Sequence, residues 1–152
     1  MKFLLAHYSS GRSRRIWVYV FMHINPQQVT CFPNPGAAFT EKGCLNTLSL
    51  LPLSATMQSF GPRGNSAVEV DVPRTWKEND SPRSGCAVVL YTKDNVIVRS
   101  NWSGLWLRAS AVNAMCVRRG LTGQYRLRDV NDTSKEMVIG LMSAWPPPMD
   151  AL

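Results

Sequence analysis

The stretch of sequence that decides the fold is Cys86-Ala87-Val88-Val89-Leu90-Tyr91. This run is continuously apolar and has the length of a strand, and such a run is typical of a central strand that is buried on both faces. The β-branched run at residues 96–98 either extends this strand or forms a second one. The stretch therefore predicts a sheet at the centre of the chain.

A helix is predicted downstream of this strand. Its apolar residues recur at i, i+4, i+7 and i+11, which places them on one helical face: Leu105, Ala109, Val112 and Cys116. Ser103 is the candidate N-cap, and Gly120 is well placed to end the helix.

The other segments are shorter. Residues 42–51 have apolar groups at helical spacing, at positions 44, 45, 48 and 51, until Pro52, so they predict a short helix. Residues 67–72, 124–128 and 137–142 predict strands, while residues 32–43, 54–66 and 77–85 contain turn-forming residues and predict loops. This order predicts an α+β fold in which two helices pack on one face of a mostly antiparallel sheet of four to five strands.

The size of the chain predicts one domain. It has 152 residues, of which 45% are hydrophobic, so it is long enough to bury one core. We expect the domain to span residues 30–143. The tail at residues 144–152 contains Pro146-Pro147-Pro148 and is expected to be disordered.

The segment at residues 1–29 has the order of an export signal, because basic residues precede the apolar run at residues 16–24. The run is interrupted by His23, lacks a clear cleavage site and is shorter than the roughly 20 residues that span a bilayer. This segment has three interpretations. It is a weak but working export signal, an edge strand of the domain, or a signal that is disrupted because the start of the chain is misassigned. We favour the last and expect this segment to be poorly ordered.

The positive charge is concentrated at the N-terminus. The formal net charge is +7, and no acidic residue occurs before Glu41. From Cys31 onward, 13 Lys and Arg face 10 Asp and Glu, which leaves only +3. A nucleic-acid partner needs a clustered basic face, so the charge of the domain does not favour one.

Four cysteines indicate two disulfides in an oxidising compartment: Cys31, Cys44, Cys86 and Cys116. None forms a C-x-x-C pair, which excludes the usual zinc-ribbon and redox motifs. Three pairings are possible. The predicted layout favours Cys31–Cys44, across a Pro/Gly loop, and Cys86–Cys116, between a strand and its helix. The alternative is four buried free thiols in a cytosolic protein.

Two glycosylation sequons support a secretory route. They are Asn101-Trp102-Ser103 and Asn131-Asp132-Thr133. If they are used, Asn101 and Asn131 lie on the surface.

A family resemblance rests on an order of short motifs: Cys44 to Pro52, Val72-Pro73-Arg74-Thr75-Trp76, Gly85-Cys86-Ala87-Val88, Trp102 before a helix ending in Cys116-Val117, and the strand Val138–Leu141. Over about residues 31–142 the chain resembles the fungal small secreted proteins known as candidate effectors. The resemblance implies secretion and a disulfide-containing fold, and it implies no catalytic residues. Members carry a clean signal peptide, from which this chain departs.

The sequence contains no recognisable catalytic centre. Both histidines, His7 and His23, precede the domain, which excludes a Ser-His-Asp triad, a Cys-His pair or a histidine metal site within it. No nucleotide-binding motif occurs. We therefore expect no catalytic residue, metal or cofactor. Two carboxylate pairs remain as glycosidase-like candidates, and a solvated surface is the simpler interpretation of both. They are Glu69 with Asp71, and Glu78 with Asp80.

One tryptophan is the centre of a candidate ligand-binding site. Trp76 has Arg74 and Arg99 nearby, and an aromatic ring beside arginines can stack on a sugar, a base or a partner surface. Trp102 and Trp106 are interpreted as core residues that anchor the helix to the sheet.

The expected function is that of a secreted, non-enzymatic interaction protein that recognises a host or extracellular protein or glycan by its surface. The first alternative is a module that binds a glycan or an anionic ligand through Trp76. The second is a carboxylate-based hydrolase. We expect no nucleic-acid partner and no stable membrane insertion, and the oligomeric state is not predicted.

Overall fold

The computed structural model describes residues 2–3, 22–33, 40–77, 85–129 and 131–143. This part of the chain contains two helices, α1 (Glu41–Leu48) and α2 (Trp102–Met115). Its ten strands are β1 (Lys2–Phe3), β2 (Met22–His23), β3 (Val29–Phe32), β4 (Gln58–Pro62), β5 (Val70–Val72), β6 (Arg74–Lys77), β7 (Cys86–Thr92), β8 (Val98–Ser100), β9 (Thr122–Arg128) and β10 (Glu136–Ser143). The α+β class is confirmed.

The larger sheet has five strands in the order β3-β9-β10-β7-β6, and all of its pairs are antiparallel. The apolar run that predicted a central strand forms β7, which pairs with β10 on one side and with β6 on the other. Val88 and Leu90 are fully buried in it. β1 and β2 form a separate antiparallel pair.

A second sheet of three strands was not predicted. Its order is β5-β4-β8, with β4 parallel to β5 and antiparallel to β8. The prediction of a loop over residues 54–66 is wrong for residues 58–62, because Gly61 and Pro62 lie inside β4 rather than in a turn. A Cβ on Gly61 would lie 2.8 Å from Val68 Cγ2, so the strand uses glycine for close packing.

Three further segments belong to this second sheet or adjoin it. The strand predicted over 67–72 is restricted to β5. Of the two alternatives for the β-branched run at 96–98, the structure shows the separate strand, because Val98 begins β8 in the second sheet and the run does not extend β7. The chain passes from the second sheet to the first at Pro73, after a cis peptide bond, and β6 then forms the edge of the larger sheet.

The helix α2 has the apolar face that the periodicity predicts. Its four predicted face residues are at most 1% exposed: Leu105, Ala109, Val112 and Cys116. The predicted N-cap is wrong, because Asn101 and not Ser103 caps the helix. The Asn101 Oδ1 accepts a hydrogen bond of 2.7 Å from the N–H of Gly104. A side chain one residue before the helix reaches that N–H, whereas Ser103 is already within the helix.

The helix α1 ends three residues before the predicted residue 51. Thr40 caps it by accepting a hydrogen bond of 3.0 Å from the N–H of Gly43. Leu48 and Leu51 are buried, but Leu45 is 44% exposed although the pattern had placed it among the apolar positions. The buried face of α1 is therefore narrower than the predicted apolar face, because it does not include Leu45.

Two disulfides are present, but the predicted pairing of Cys31–Cys44 and Cys86–Cys116 is wrong. The structure joins Cys31 to Cys116 and Cys44 to Cys86. The reason is that α1, not α2, lies against the start of β7. The Thr47 hydroxyl on α1 donates a 3.3 Å hydrogen bond to the Cys86 carbonyl.

The packed part of the chain includes residues before residue 30. Ile24 is 5% exposed and belongs to the main core. The Tyr125 hydroxyl donates to Gln28 Oε1 at 2.6 Å and accepts from the Asn25 N–H at 3.3 Å. The predicted tail at 144–152 and most of the predicted signal lie outside the described residues.

Candidate interaction surface

The β6 strand brings two of the three predicted ligand-binding residues together. The Arg74 guanidinium carbon lies 5.3 Å from the centroid of the Trp76 ring, a cation–π distance. The Trp76 ring meets that of Trp102 at 5.6 Å and 88°, and Trp102 meets Phe60 at 5.1 Å. Trp102 and Phe60 are buried, so the half-buried Trp76 is held against the core and in turn holds Arg74.

Trp102 and Trp106 occupy the positions that we expected of core residues. Trp102 is 4% exposed, and Trp106 is partly buried against the core. Both lie on α2.

The third predicted ligand-binding residue, Arg99, belongs to a different surface. It lies on β8 opposite Ser59, and its backbone N–H donates a 2.7 Å hydrogen bond to Asp129. Val98 beside it is buried, so the exposed Arg99 side chain points to the opposite, solvent-facing side of the second sheet. Its charge acts on Glu69.

Of the carboxylate pair, Glu69 directly precedes β5 and Asp71 lies within it, and both are exposed and alternate with the buried Val70 and Val72. Glu69 accepts hydrogen bonds from the Ser59 N–H at 2.7 Å and from the Ser59 hydroxyl at 3.0 Å. These two bonds, together with the charge of Arg99, lower the pKa of Glu69. A general acid at neutral pH needs a raised pKa. Glu78 and Asp80 lie outside the described residues.

Asp129 is a buried carboxylate whose hydrogen bonds connect the two sheets. It accepts backbone N–H bonds from Arg99 at 2.7 Å, Asn131 at 2.7 Å and Asp132 at 3.2 Å. Burial by itself would raise the pKa of Asp129, but the three N–H donors and Lys135 lower it. These bonds tie the turn between β9 and β10 to the edge strand β8.

The two sequon asparagines have different surroundings. Asn131 is exposed in the turn that follows β9. Asn101 is partly buried, because its amide caps α2 and its Nδ2 lies 3.6 Å from Met57 Sδ.

One surface feature was missed by the sequence analysis. Four large apolar side chains are exposed within residues 45–57, by 44%, 49%, 62% and 37% respectively: Leu45, Leu50, Leu53 and Met57. We call this group the leucine patch. The sequence does indicate that these side chains are exposed, since Leu50 lies off the predicted helical face and Leu53 follows the helix-ending Pro52.

Comparison with known proteins identifies no relative: no family model, curated protein or solved structure matches the chain. Within the described residues, no group of three or more His, Cys, Asp or Glu side chains is placed to hold a metal ion. Neither helix of the described part is long and apolar enough to cross a membrane.

Proposed function

We propose that this chain is a secreted, non-enzymatic interaction protein that acts by recognising a host or extracellular protein, as its resemblance to fungal candidate effectors implies. The observation that carries the proposal is the pair of disulfides, which join residues 85 and 42 positions apart in sequence. Disulfides of this kind persist in oxidising compartments and are rare in the cytosol. The sequon at the exposed Asn131 supports the same route.

The leucine patch supports recognition of a protein. Exposed apolar side chains are common singly, whereas a contiguous exposed apolar surface marks a binding site, and we take these four side chains to form such a surface. Leu53 also lies next to the start of α2, because its carbonyl accepts a 3.3 Å hydrogen bond from the Ser103 hydroxyl. That contact anchors the patch to a helix, which limits the entropy lost on binding.

The non-enzymatic part of the proposal is supported by the state of Glu69. Its hydrogen bonds to Ser59 favour the ionised carboxylate, so it is unsuited to donate a proton to a leaving group. In the hydrolase alternative, a general acid would have to come from elsewhere in the chain.

A module for a glycan or an anionic ligand is the second candidate, and the contact between Arg74 and Trp76 favours it. The same contact covers one face of the Trp76 ring, which a stacked sugar would need. The geometry is therefore better suited to an anion than to a neutral glycan.

Site-specific photocrosslinking tests the proposed function. The chain is secreted from a eukaryotic host with a photoreactive residue at Leu53, and it is applied to intact cells of a candidate host. A matched variant carries the same residue at the exposed Lys93, outside the patch. We expect discrete protein adducts from position 53 and none from position 93. Identical adducts from both, or none from either, would contradict recognition through the leucine patch.

A further inference from the structure

We propose that β6, through the edge that does not face β7, is a docking strand for an extended acidic segment of a partner protein. This inference rests on the proposed function, since it names the chemistry of the partner. β6 pairs with β7 alone and forms the end of the five-stranded sheet. Within the described part of the chain, no hydrogen bond reaches its other edge. An unpaired edge offers N–H and C=O groups to an added strand.

The other described edges are less suited to this role. At β8, Asp129 already binds the outward N–H of Arg99. The β5 edge carries the acidic Asp71, and β3 carries no charged residue. β6 alone among these edges combines two basic side chains, Arg74 and Lys77, and both are exposed.

The charges of β6 favour an acidic partner over a second copy of this chain. Among the described residues, neither Arg74 nor Lys77 forms an ion pair. Two β6 strands paired through this edge would place four basic side chains, Arg74 and Lys77 of each copy, on adjacent strands with no carboxylate of β6 to neutralise them, and this is electrostatically unfavourable. Basic residues on an edge thus oppose self-pairing and favour a strand that carries carboxylates.

The spacing of the two basic residues specifies the acidic segment further. Successive side chains of a strand point to opposite faces, so Arg74 and Lys77, three apart, lie on different faces of the sheet. A strand paired with β6 therefore needs acidic residues at positions i and i+3. The Arg74 guanidinium carbon lies 5.3 Å from the centroid of the Trp76 ring, and a guanidinium placed over an aromatic ring can still bind a carboxylate through its N–H groups.

Binding of synthetic peptides tests the proposal on the full, oxidised chain. The probe is a fluorescent decapeptide of Thr and Val with Glu at i and i+3, and binding is followed by fluorescence anisotropy. An isomer with Glu at i and i+2 has the same composition but presents both carboxylates on one face. We expect the first peptide to bind about tenfold more tightly than the isomer. Methylation of alternate backbone nitrogens, which removes the strand hydrogen bonds, is expected to abolish binding.

Charge reversal on β6 supplies the second arm. The double substitution Arg74→Glu and Lys77→Glu is expected to weaken the Glu peptide at least about tenfold and to favour a peptide with Lys at i and i+3. The matched control, Arg63→Glu with Lys93→Glu, changes the net charge equally at exposed positions outside β6. We expect it to retain binding.

Several outcomes would overturn the docking strand. The first is no binding at peptide concentrations up to about 1 mM, and the second is equal affinity for the two Glu isomers. The third is a methylated peptide that binds as tightly as the unmethylated one. The fourth is a control variant that loses as much affinity as the β6 double variant. Binding of a sulfated oligosaccharide without any binding of the peptide would assign the site to a glycan instead. None of these results bears on adduct formation at Leu53, so failure of the docking strand and failure of the proposed function are distinguishable.

Discussion

Replacement of Gly123 with alanine tests how closely β9 packs against α2 and its disulfide. A Cβ at this position would lie 2.6 Å from Cys116 Sγ and 2.8 Å from Val112 Cγ1. Both neighbours are fully buried; Val112 lies within α2, and Cys116 directly follows it and is held in a disulfide, so neither can move away freely. Overpacking of this kind costs about 1–3 kcal/mol. The lower unfolded-state entropy of alanine offsets roughly 0.5–1 kcal/mol of this. The expected net loss is about 1–2 kcal/mol, in the upper part of the resulting range of about 0–2.5 kcal/mol, because the contacts are short and neither neighbour can move away.

Thermal unfolding with both disulfides intact measures this loss, followed by circular dichroism. A loss of about 1–2 kcal/mol corresponds to a melting temperature lower by roughly 3–10 °C in a domain of this size. Gly140 on the neighbouring β10 is the matched control, because its Cβ would meet Gly123 O at 3.5 Å, an ordinary contact. Gly140→Ala is expected to leave the melting temperature unchanged or slightly raised. Equal melting temperatures for the two variants would refute the close packing of β9 on α2.

Three further predictions follow from single contacts. Asp129→Ala leaves three backbone N–H groups unpaired and is expected to cost about 2–4 kcal/mol in urea unfolding. Folding lowers the pKa of the Asp129 carboxyl, so its contribution to stability is present at neutral pH and is lost as the pH falls below about 4. The variant should therefore lose less stability in acid than the parent chain, and an unchanged dependence of stability on pH would contradict this role. Asn101→Ala removes the α2 N-cap and is expected to cost about 1 kcal/mol, whereas Asn101→Asp should retain the stability, and equal losses would exclude capping. Stepwise reduction by a thiol, followed by differential alkylation, should open Cys31–Cys116 first. Cys31 is partly exposed, whereas Cys44 and Cys86 are both buried. Reduction of Cys44–Cys86 before Cys31–Cys116 would contradict this difference in burial.

The helices and strands whose apolar pattern is long and uninterrupted could be predicted from the sequence. The apolar run in β7 and the periodic face of α2 both lie where the pattern places them, because burial on two faces or on one helical face leaves a clear local signal. β4 could not be predicted in this way. It contains one large apolar residue, Phe60, beside Gly61 and Pro62, and its burial depends on the second sheet.

The disulfide pairing could not be predicted, because it depends on which helix covers which strand. The count of four cysteines correctly indicates two bridges, but local order places Cys86 against α2. In the structure α1 lies over β7, while α2 lies over β9 and β10 and brings Cys116 to the edge strand β3. Arg99 was misplaced for the same reason, since its separation from Trp76 comes from the division of the strands between two sheets.

The most direct test of the central claim, a secreted domain cross-linked by two disulfides, is non-reducing peptide mapping of the chain exported from a eukaryotic host. Trypsin separates all four cysteines, since Lys42 lies between Cys31 and Cys44 and several arginines lie between the others. We expect two linked peptide pairs, Cys31 with Cys116 and Cys44 with Cys86. Four free thiols, or the alternative pairing of neighbouring cysteines, would contradict the account.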